Sequence, residues 1–374
     1  MKKLLSLFSI MLMILCNSVT TKSYFSNDMH SFLEKRLNLK NGGASVSVMK
    51  EGKLVYSDNF GYSNIETKCK VSEETRFNVA SVSKIFALCA VMLLVKDGKL
   101  NLDEPIYKYI TEFGMSNKDY KKITTRMLLS YTSGMEGTFL DGYEGDSYDP
   151  LYKQKFLKSL KTMNLKFIPG ESVNYCNNNF VPLEILVEKI SGKKYINFIK
   201  ERIINPLQLK NTDVSLGELI SNLKQSNIAY GYENGKNIPP LAISSYTAAG
   251  ISSTSTDLCK FATIFCNDSE NKLFNDNLLK EIKKTHTKKV ENKTSEQCYC
   301  LGFSKLIGNK YKKFGILAKS GVSNNHQAYL FVIPDENITI AILFSDKDYD
   351  SWFSNNERLS FDILDKVIDY FKLK

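Results

Sequence analysis

Apolar and polar residues alternate in stretches near both ends of the chain. Ala44 to Val48 follows the period of two that is typical of a strand, and Glu51-Gly52 predicts a turn into a second strand at Lys53 to Phe60. Ala328 to Ile333 and Ile338 to Phe344 follow the same pattern on either side of a proline-led turn. The pattern predicts that strands from both ends of the chain share one antiparallel sheet.

Helical spacing of apolar residues flanks and separates these strands. Asn27 to Leu37 and Leu359 to Phe371 each predict a terminal helix that packs on the sheet. The chain from 85 to 225 is mostly helical in pattern, including helices at Phe180 to Ile190 and Tyr195 to Ile204. The predicted fold class is therefore mixed α/β (α+β), an antiparallel sheet flanked by N- and C-terminal helices together with a mostly helical subdomain.

Residues 1 to 18 have the pattern of an export signal, in which two lysines precede an apolar run from Leu4 to Leu15. The run is shorter than the ~20 apolar residues that a membrane-spanning helix needs. Cys16 occupies the place of a lipoprotein cysteine, but Met13-Ile14-Leu15 lacks the small residue that normally precedes one. The sequence favours cleavage after Ser18, and a periplasmic or extracellular protein, over lipidation at Cys16.

The chain of 374 residues carries 50 Lys and Arg against 40 Asp and Glu, and the resulting net charge of +10 is spread along its length. This length suits one large domain or two subdomains with a sizeable core. The charge favours weak association with an anionic cell envelope, although most of these lysines are expected to be solvated. No basic helix or zinc-finger pattern is present, which argues against a nucleic-acid partner. The sequence carries no signature of the oligomeric state.

Seven cysteines follow the predicted signal, and their odd number and uneven spacing do not indicate a disulfide framework. Cys298-Tyr299-Cys300 has the spacing of half a metal site, but there is no second cysteine pair and the three histidines are scattered. We therefore expect no metal and no cofactor.

Candidate chemistry begins with Ser-x-x-Lys, because a serine and a lysine one helical turn apart can act as nucleophile and base without histidine. The pattern occurs five times, beginning at Ser47, Ser81, Ser191, Ser221 and Ser269. Ser81-Val82-Ser83-Lys84 differs from the others because it leads into Ile85 to Val95, an apolar run that predicts a helix buried on all sides.

Ser81 is therefore expected near the N-terminus of a buried helix, where unpaired backbone N–H groups favour developing negative charge. Lys84 lies three residues further along, on the same face. Burial lowers the pKa of a lysine, so its amine can be a neutral base near pH 7. The structural alternative is that Ser81 only caps the helix.

Two further motifs follow in order along the chain. Tyr175-Cys176-Asn177 begins 94 positions after Ser81, and Lys319-Ser320-Gly321 begins 144 positions after Tyr175. Tyr-x-Asn is common in this chain, but Lys-Ser/Thr-Gly occurs once. The order and spacing resemble the serine β-lactamase and penicillin-binding-protein superfamily, most closely its branch of class C β-lactamases, D-alanyl-D-alanine carboxypeptidases and esterases.

Segments around the motifs are also similar to that branch. They are Thr75 to Ala80, Asp97 to Pro105, Ile123 to Gly134, Phe167 to Glu171, Pro206-Leu207 with Asn211-Thr212, and Ala249 to Thr254. The resemblance runs from about residue 30 to the C-terminus. It implies one β-lactamase/transpeptidase-like domain over 19–374, with its α/β part at about 19–110 and 226–374 and its helical part at about 111–225.

The resemblance also implies the catalytic roles. Ser81 would attack a carbonyl and form an acyl-enzyme, while Lys84 and Tyr175 would manage its proton. Lys84 and Tyr175 would titrate together with Lys319, and the two nearby lysines are expected to favour the ionised form of the Tyr175 phenol. Whether Lys84 or Tyr175 is the general base stays open at this point.

Substrate contacts follow from the same resemblance. Asn177 would hold a substrate amide, and Lys319, Ser320 and Gly321 would hold a substrate carboxylate. The backbone N–H groups of Ser81 and Val322 would form the oxyanion hole.

Three positions depart from the family pattern. Ser320 stands where Thr is common, Cys176 replaces the usual Ser, and Ala249 replaces a glycine near the cleft. The first two are expected to be mild, because position 320 keeps its hydroxyl and position 176 need not touch substrate.

The leading prediction is an exported serine hydrolase acting on a small-molecule or peptidoglycan-derived substrate, in particular a D-Ala-D-Ala end. A class C-like β-lactamase and a small-acyl esterase share the acylation step and remain alternatives. Lys319 stands where many esterase-like relatives have His, which favours a substrate carboxylate. An inactive wall-binding homologue is a further alternative, although such a protein would not need Ser81, Lys84, Tyr175 and Lys319 together. A Ser-His-Asp hydrolase lacks support, because no Gly-x-Ser-x-Gly is present.

Overall fold

The computed structural model describes residues 25–37, 42–137, 142–145, 147–214, 227–233, 236–270, 272–288, 290–291, 296–323, 326–345 and 352–373. The predicted signal at residues 1–18, including Cys16, lies outside this part of the chain. Within the described ranges, no helix is both long enough and apolar enough to cross a membrane.

Nine strands in the described residues form one antiparallel sheet. From one edge to the other they are β11 (Val290–Glu291), β12 (Glu296–Tyr299), β13 (Ser304–Leu306), β14 (Leu317–Val322), β15 (Gln327–Ile333), β16 (Ile338–Phe344), β1 (Gly43–Lys50), β2 (Lys53–Asn64) and β3 (Cys69–Lys70). The remaining strands are short: β4 (Phe77–Asn78), β10 (Ile251–Ser253) and β6 (Asp213–Val214) form a second sheet, β5 (Glu144–Gly145) pairs with β9 (Ala242–Ile243), and β7 (Gly231–Glu233) pairs with β8 (Lys236–Ile238).

Strands from the two ends of the chain pair at the centre of the large sheet, as the alternation predicted. β1 lies against β16 in a register that sets Ala44 opposite Phe344 and Val48 opposite Ile340. The predicted turn between β1 and β2 is also present, and Glu51 and Gly52 both have a positive φ there, as a tight hairpin turn requires.

The helices have the following bounds: α1 spans residues 25–36, and the others are α2 (Ser83–Lys96), α3 (Thr125–Leu129), α4 (Tyr152–Ser159), α5 (Phe180–Ser191), α6 (Tyr195–Ile199), α7 (Tyr246–Ala249), α8 (Ser255–Ala262), α9 (Asp276–Lys283) and α10 (Trp352–Tyr370). α6 continues into a π-helical turn at Lys200–Ile204. The predicted terminal helices are therefore α1 and α10, and α10 begins seven residues before the expected Leu359.

The large sheet separates two hydrophobic cores because successive side chains of a strand point to opposite faces. Ile340 and Ile342 of β16 belong to the core that α1 and α10 cover. Ala341 and Leu343 belong to the other core, which contains most of α2 and half of α8. This arrangement confirms the predicted mixed α/β fold with terminal helices on the sheet.

α2 runs through the larger core, as its uniformly apolar sequence predicted. Twelve of its 14 residues are buried, and α5 and α7 pack against it. Because α2 is packed on all sides, its start has a fixed position. The segment that precedes it, Ala80–Val82, packs against β14.

The seven described cysteines are all free thiols, and six of them are buried. Cys298 and Cys300 lie in and just after β12. In the described part of the chain, no three His, Cys, Asp or Glu side chains are grouped so as to hold a metal ion.

Candidate active site

Ser81 lies in a short 3₁₀ turn, Ala80–Val82, that joins β4 to α2. The helix proper begins at Ser83, so Ser81 lies just before the helix that the apolar run Ile85 to Val95 predicted. Ala80 has a φ of +44°, which is uncommon for a residue with a Cβ and locates backbone strain directly before the serine. Its N–H donates to Asn78 Oδ1 over 2.8 Å. This strained turn presents Ser81 at the start of α2.

Lys84 is completely buried one turn further on. Its Nζ lies 2.9 Å from Ser81 Oγ and donates to the backbone carbonyl of Ala248 over 2.7 Å. Burial places the pKa of this amine well below its usual value, and the charge of Lys319 lowers it further. The predicted nucleophile and the predicted buried amine are therefore in direct contact.

Tyr175 completes a three-membered cluster around the nucleophile. Its hydroxyl donates to Ser81 Oγ over 2.9 Å, and its ring lies 5.5 Å from Lys84 Nζ and 4.8 Å from Lys319 Nζ. Although 41% of the residue is exposed, loss of hydration around the hydroxyl raises its pKa, and the bond with Ser81 opposes that rise only in part. Contrary to the expectation of an ionised phenol, burial favours the protonated form, because desolvation has the largest effect on this pKa.

Lys319 lies behind Tyr175, on β14, and is only 5% exposed. Its Nζ donates to the hydroxyl of Tyr131 over 2.9 Å. The Tyr131 ring stacks on Tyr175 with the ring centroids 4.7 Å apart. Burial lowers the pKa of Lys319 to about 7. Burial therefore favours the neutral form of both lysines.

Gly321 brings β14 against the backbone of the serine turn. A Cβ at this position would lie 2.3 Å from the carbonyl oxygen of Val79 and 2.8 Å from Ser81 N, distances that only glycine allows. Ser320 and Val322, on either side, are exposed. The N–H of Ser81 lies in the first turn of a helix, where helical geometry supplies no acceptor. Val322 follows Gly321 directly, so it lies one residue from the point where β14 comes closest to Ser81.

Asn177 belongs to the segment that follows Tyr175 and leads into α5. Its Oδ1 is buried and has no hydrogen-bond partner among the described residues. Cys176 is buried on the opposite side and its Sγ lies 3.4 Å from the carbonyl oxygen of Gly137. Asn179 fixes the segment, because its Oδ1 accepts from Ser133 Oγ over 2.7 Å.

The structure therefore brings together every residue that the motifs singled out. Ser81, Lys84, Tyr175 and Lys319 form one cluster, Asn177 follows on the same segment as Tyr175, and Ser320, Gly321 and Val322 lie along the adjacent edge of β14. Their chemical roles remain predictions.

Two groups in this cluster were missed by the sequence reasoning. Tyr131 lies within the similar stretch Ile123 to Gly134, and no sequence pattern indicates its φ of +63° or its contact with Lys319. The Ala248 carbonyl is a backbone group, so no residue type in the sequence indicates it.

Ala249 stands where the family turn has a glycine. It ends α7, and its carbonyl accepts a hydrogen bond from Asn78 Nδ2 over 3.0 Å.

Known proteins are similar to parts of this chain. Protein flp of Staphylococcus aureus (strain MW2) is 28% identical over 192 residues, which are 51% of this chain and 38% of that protein. D-aminopeptidase of Brucella anthropi is 32% identical over 199 residues, which are 52% of this chain and 36% of that protein. The aligned regions are thus well under half of the length of these two relatives.

A solved structure of a class C beta-lactamase mutant superimposes with a TM-score of 0.73 at 20% identity, covering 92% of this chain and 97% of that one. At this identity the likeness shows the fold alone. The family model described as Beta-lactamase matches residues 29–361, nearly the whole described chain. The predicted superfamily is thereby confirmed, and the chain belongs to the Beta-lactamase family of serine hydrolases.

Proposed function

We propose that the protein is an acyl-serine hydrolase for peptides that end in D-Ala-D-Ala. The observation that carries this proposal is the position of Ser81 Oγ, 2.9 Å from both Lys84 Nζ and the Tyr175 hydroxyl. A nucleophile in reach of one proton acceptor and one proton donor has what acylation and leaving-group departure require.

Lys84 is the general base in this mechanism. Its depressed pKa leaves a neutral amine, whose lone pair takes the Ser81 hydroxyl proton as Oγ bonds to the substrate carbonyl carbon. Tyr175 keeps its proton because its pKa is raised, so its hydroxyl can protonate the leaving amine, and the proton that Lys84 took then passes to the phenolate. The C–N bond then breaks and an ester of Ser81 remains, which water hydrolyses. The backbone N–H groups of Ser81 and Val322 would stabilise the oxyanion.

Substrate selection is assigned to the groups around this cluster. Lys319 and the exposed Ser320 hydroxyl would bind a terminal carboxylate, and Asn177 would hold the acyl-side amide. Similarity to a protein named D-aminopeptidase supports an amide next to a D-residue. A β-lactam and a small ester are alternative substrates for the same acylation step.

The test compares four substrate classes on the purified protein: a blocked peptide ending in D-Ala-D-Ala, a fluorescent penicillin, a chromogenic cephalosporin and a p-nitrophenyl ester. Release of D-alanine with a penicillin adduct on Ser81 supports the proposal. Rapid cephalosporin turnover would instead assign a β-lactamase, and ester turnover alone would assign an esterase.

Matched variants check the assignment of the nucleophile. Ser81→Ala and Lys84→Ala should each abolish adduct formation, while Ser191→Ala, from another Ser-x-x-Lys, should leave it unchanged. Full activity of Ser81→Ala would contradict the proposal.

We also propose that the protein is exported, because residues 1 to 18 have the pattern of a signal peptide. N-terminal sequencing of protein purified from its native cells should then begin at Val19. The net charge of +10 supports weak attachment to an anionic envelope, which a rise in salt would release.

A further inference from the structure

A buried ion pair lies between α4 and α5, and the mechanism above gives it no part. Glu184 of α5 has no exposed surface, and its Oε1 lies 3.3 Å from Lys153 Nζ of α4. Lys153 also bonds Glu188 Oε2 over 2.6 Å. Withdrawing a carboxylate from water costs several kcal/mol, so a buried glutamate needs specific compensation.

The second oxygen of this carboxylate holds α7. Glu184 Oε2 lies 3.3 Å from both the backbone N and the Oγ1 of Thr247, and Thr247 Oγ1 also donates to the carbonyl of Phe180 over 2.7 Å. α7 has only four residues, too few to be stable without tertiary contacts. These bonds therefore tie α7 to the first turns of α5.

The residue after Thr247 carries the acceptor that orients the active-site amine. The carbonyl of Ala248 accepts from Lys84 Nζ over 2.7 Å, while Ser81 Oγ lies 2.9 Å from the same nitrogen. A neutral amine has two N–H bonds and one lone pair. When the carbonyl takes one N–H, rotation about the last side-chain bond is restricted and the lone pair can be kept toward Ser81.

We propose that the Lys153–Glu184 pair is a positioning device for the general base. It fixes α7 so that the Ala248 carbonyl aims the Lys84 lone pair at Ser81. This inference rests on the proposed function only in its assignment of Lys84 as the base, and not on the choice of substrate. Glu184 and Lys153 touch no reacting atom, so they are positioning residues.

A fluorophosphonate tests this without knowledge of the substrate, because it bonds phosphorus to an activated serine oxygen and releases fluoride. Its saturation kinetics separate the binding constant KI from the maximal rate of bond formation. Glu184→Leu removes both acceptor oxygens and should lower the maximal rate about tenfold or more, with KI changed less than about twofold. Glu184→Gln keeps an oxygen for Thr247 and carries no buried charge that needs Lys153, so it should retain the rate within about threefold.

Lys153→Met keeps the side-chain length and leaves Glu184 without its cation, so it should slow labelling as Glu184→Leu does. The double variant should be no slower than the slower single one, because both substitutions disable one device. Lys155→Met is the matched control on the same helix, since Lys155 pairs with Asp149 and has no bond to α7. If Glu184→Leu does not fold, the inference is tested by comparing the maximal labelling rates of Lys153→Met and Lys155→Met.

Ile363→Ala controls for a general loss of stability, because Ile363 is fully buried in the core on the other face of the sheet. Equal slowing in Ile363→Ala at a matched fall in Tm would overturn the inference, as would normal labelling in Glu184→Leu and Lys153→Met. Wild-type protein that is not labelled on Ser81 would also overturn it. Failure to cleave a D-Ala-D-Ala peptide would overturn only the proposed function.

Discussion

Lys319 Nζ donates a hydrogen bond to the Tyr131 hydroxyl over 2.9 Å, beneath the ring of Tyr175. Tyr131→Phe keeps the stacked ring and removes this acceptor, so the Lys319 amine loses its fixed direction. Since a hydrogen bond to a charged group contributes about 1.5–3 kcal/mol, kcat/KM for a substrate with a carboxylate should fall roughly tenfold or more.

A neutral p-nitrophenyl ester is the internal control for Tyr131→Phe. Its turnover should change far less, because no carboxylate has to be held. Equal losses on both substrates in steady-state assays would show that Tyr131 acts on the nucleophile and not on Lys319.

The pH profile should differ between charged and neutral substrates. Burial lowers the pKa of Lys319 to about 7, so its ammonium is present below that pH and is lost as pH rises through it. The kcat/KM for a carboxylate substrate should therefore decline above about pH 7, whereas that for a neutral ester should not. Profiles measured in one buffer series check this, and a Lys319→Met variant should lose the difference between the two.

Lys319 should also destabilise the folded protein. The folded state binds its proton with a pKa of about 7 and the unfolded state with an ordinary pKa near 10.5, so the unfolded state holds more protons between these values. The free energy of unfolding therefore rises with pH in that interval, and the full destabilisation by Lys319 is present below pH 7. Lys319→Met should raise the free energy of unfolding by on the order of a few kcal/mol at pH 6 and by less at pH 9.

Denaturant unfolding at both pH values measures this difference. Lys99→Met, at an exposed lysine, is the control and should show no such dependence on pH. A Lys319→Met variant that is less stable than wild type at pH 6 would contradict the burial argument.

Gly321→Ala should damage both the fold and the site. The new Cβ would press on Val79 and on the nitrogen of Ser81, so β14 must move away from the serine turn. Overpacking of this kind typically costs about 1–3 kcal/mol. A displaced oxyanion donor typically costs about 100-fold in rate. Gly308→Ala is the matched control, because nothing lies within 4 Å of a Cβ at that glycine. Thermal unfolding and fluorophosphonate labelling of both variants check the two effects.

Elements with strong periodicity could be predicted from the sequence. The alternation in β1, β2, β15 and β16 located the centre of the sheet, and the uniformly apolar α2 selected Ser81 among five similar motifs. The strands β11 to β13 were missed because they contain only two to four residues each, too few to show a period. α10 begins at Trp352 and not at Leu359, because the polar run from Ser354 to Arg358 interrupts the apolar spacing.

Within the site, residue types were predictable and their environment was not. The motifs named Lys84 and Tyr175, yet the protonation state of the phenol depends on desolvation, which is a property of the assembled cleft. The carbonyl of Ala248 and the Glu184–Lys153 pair depend on how α7 packs, and no local pattern encodes that packing.

The pairing of β1 with β16 has a consequence for synthesis of the protein. Phe344 lies 300 positions after its partner Ala44, and β14, with Lys319, reaches β1 only through β15 and β16. A nascent chain that has left the ribosome as far as β13 already contains Ser81, Lys84 and Tyr175, but the side of β1 that pairs with β16 still has no partner. Contacts of such long range form late, so reactivity of the serine should arise only when the last hairpin docks.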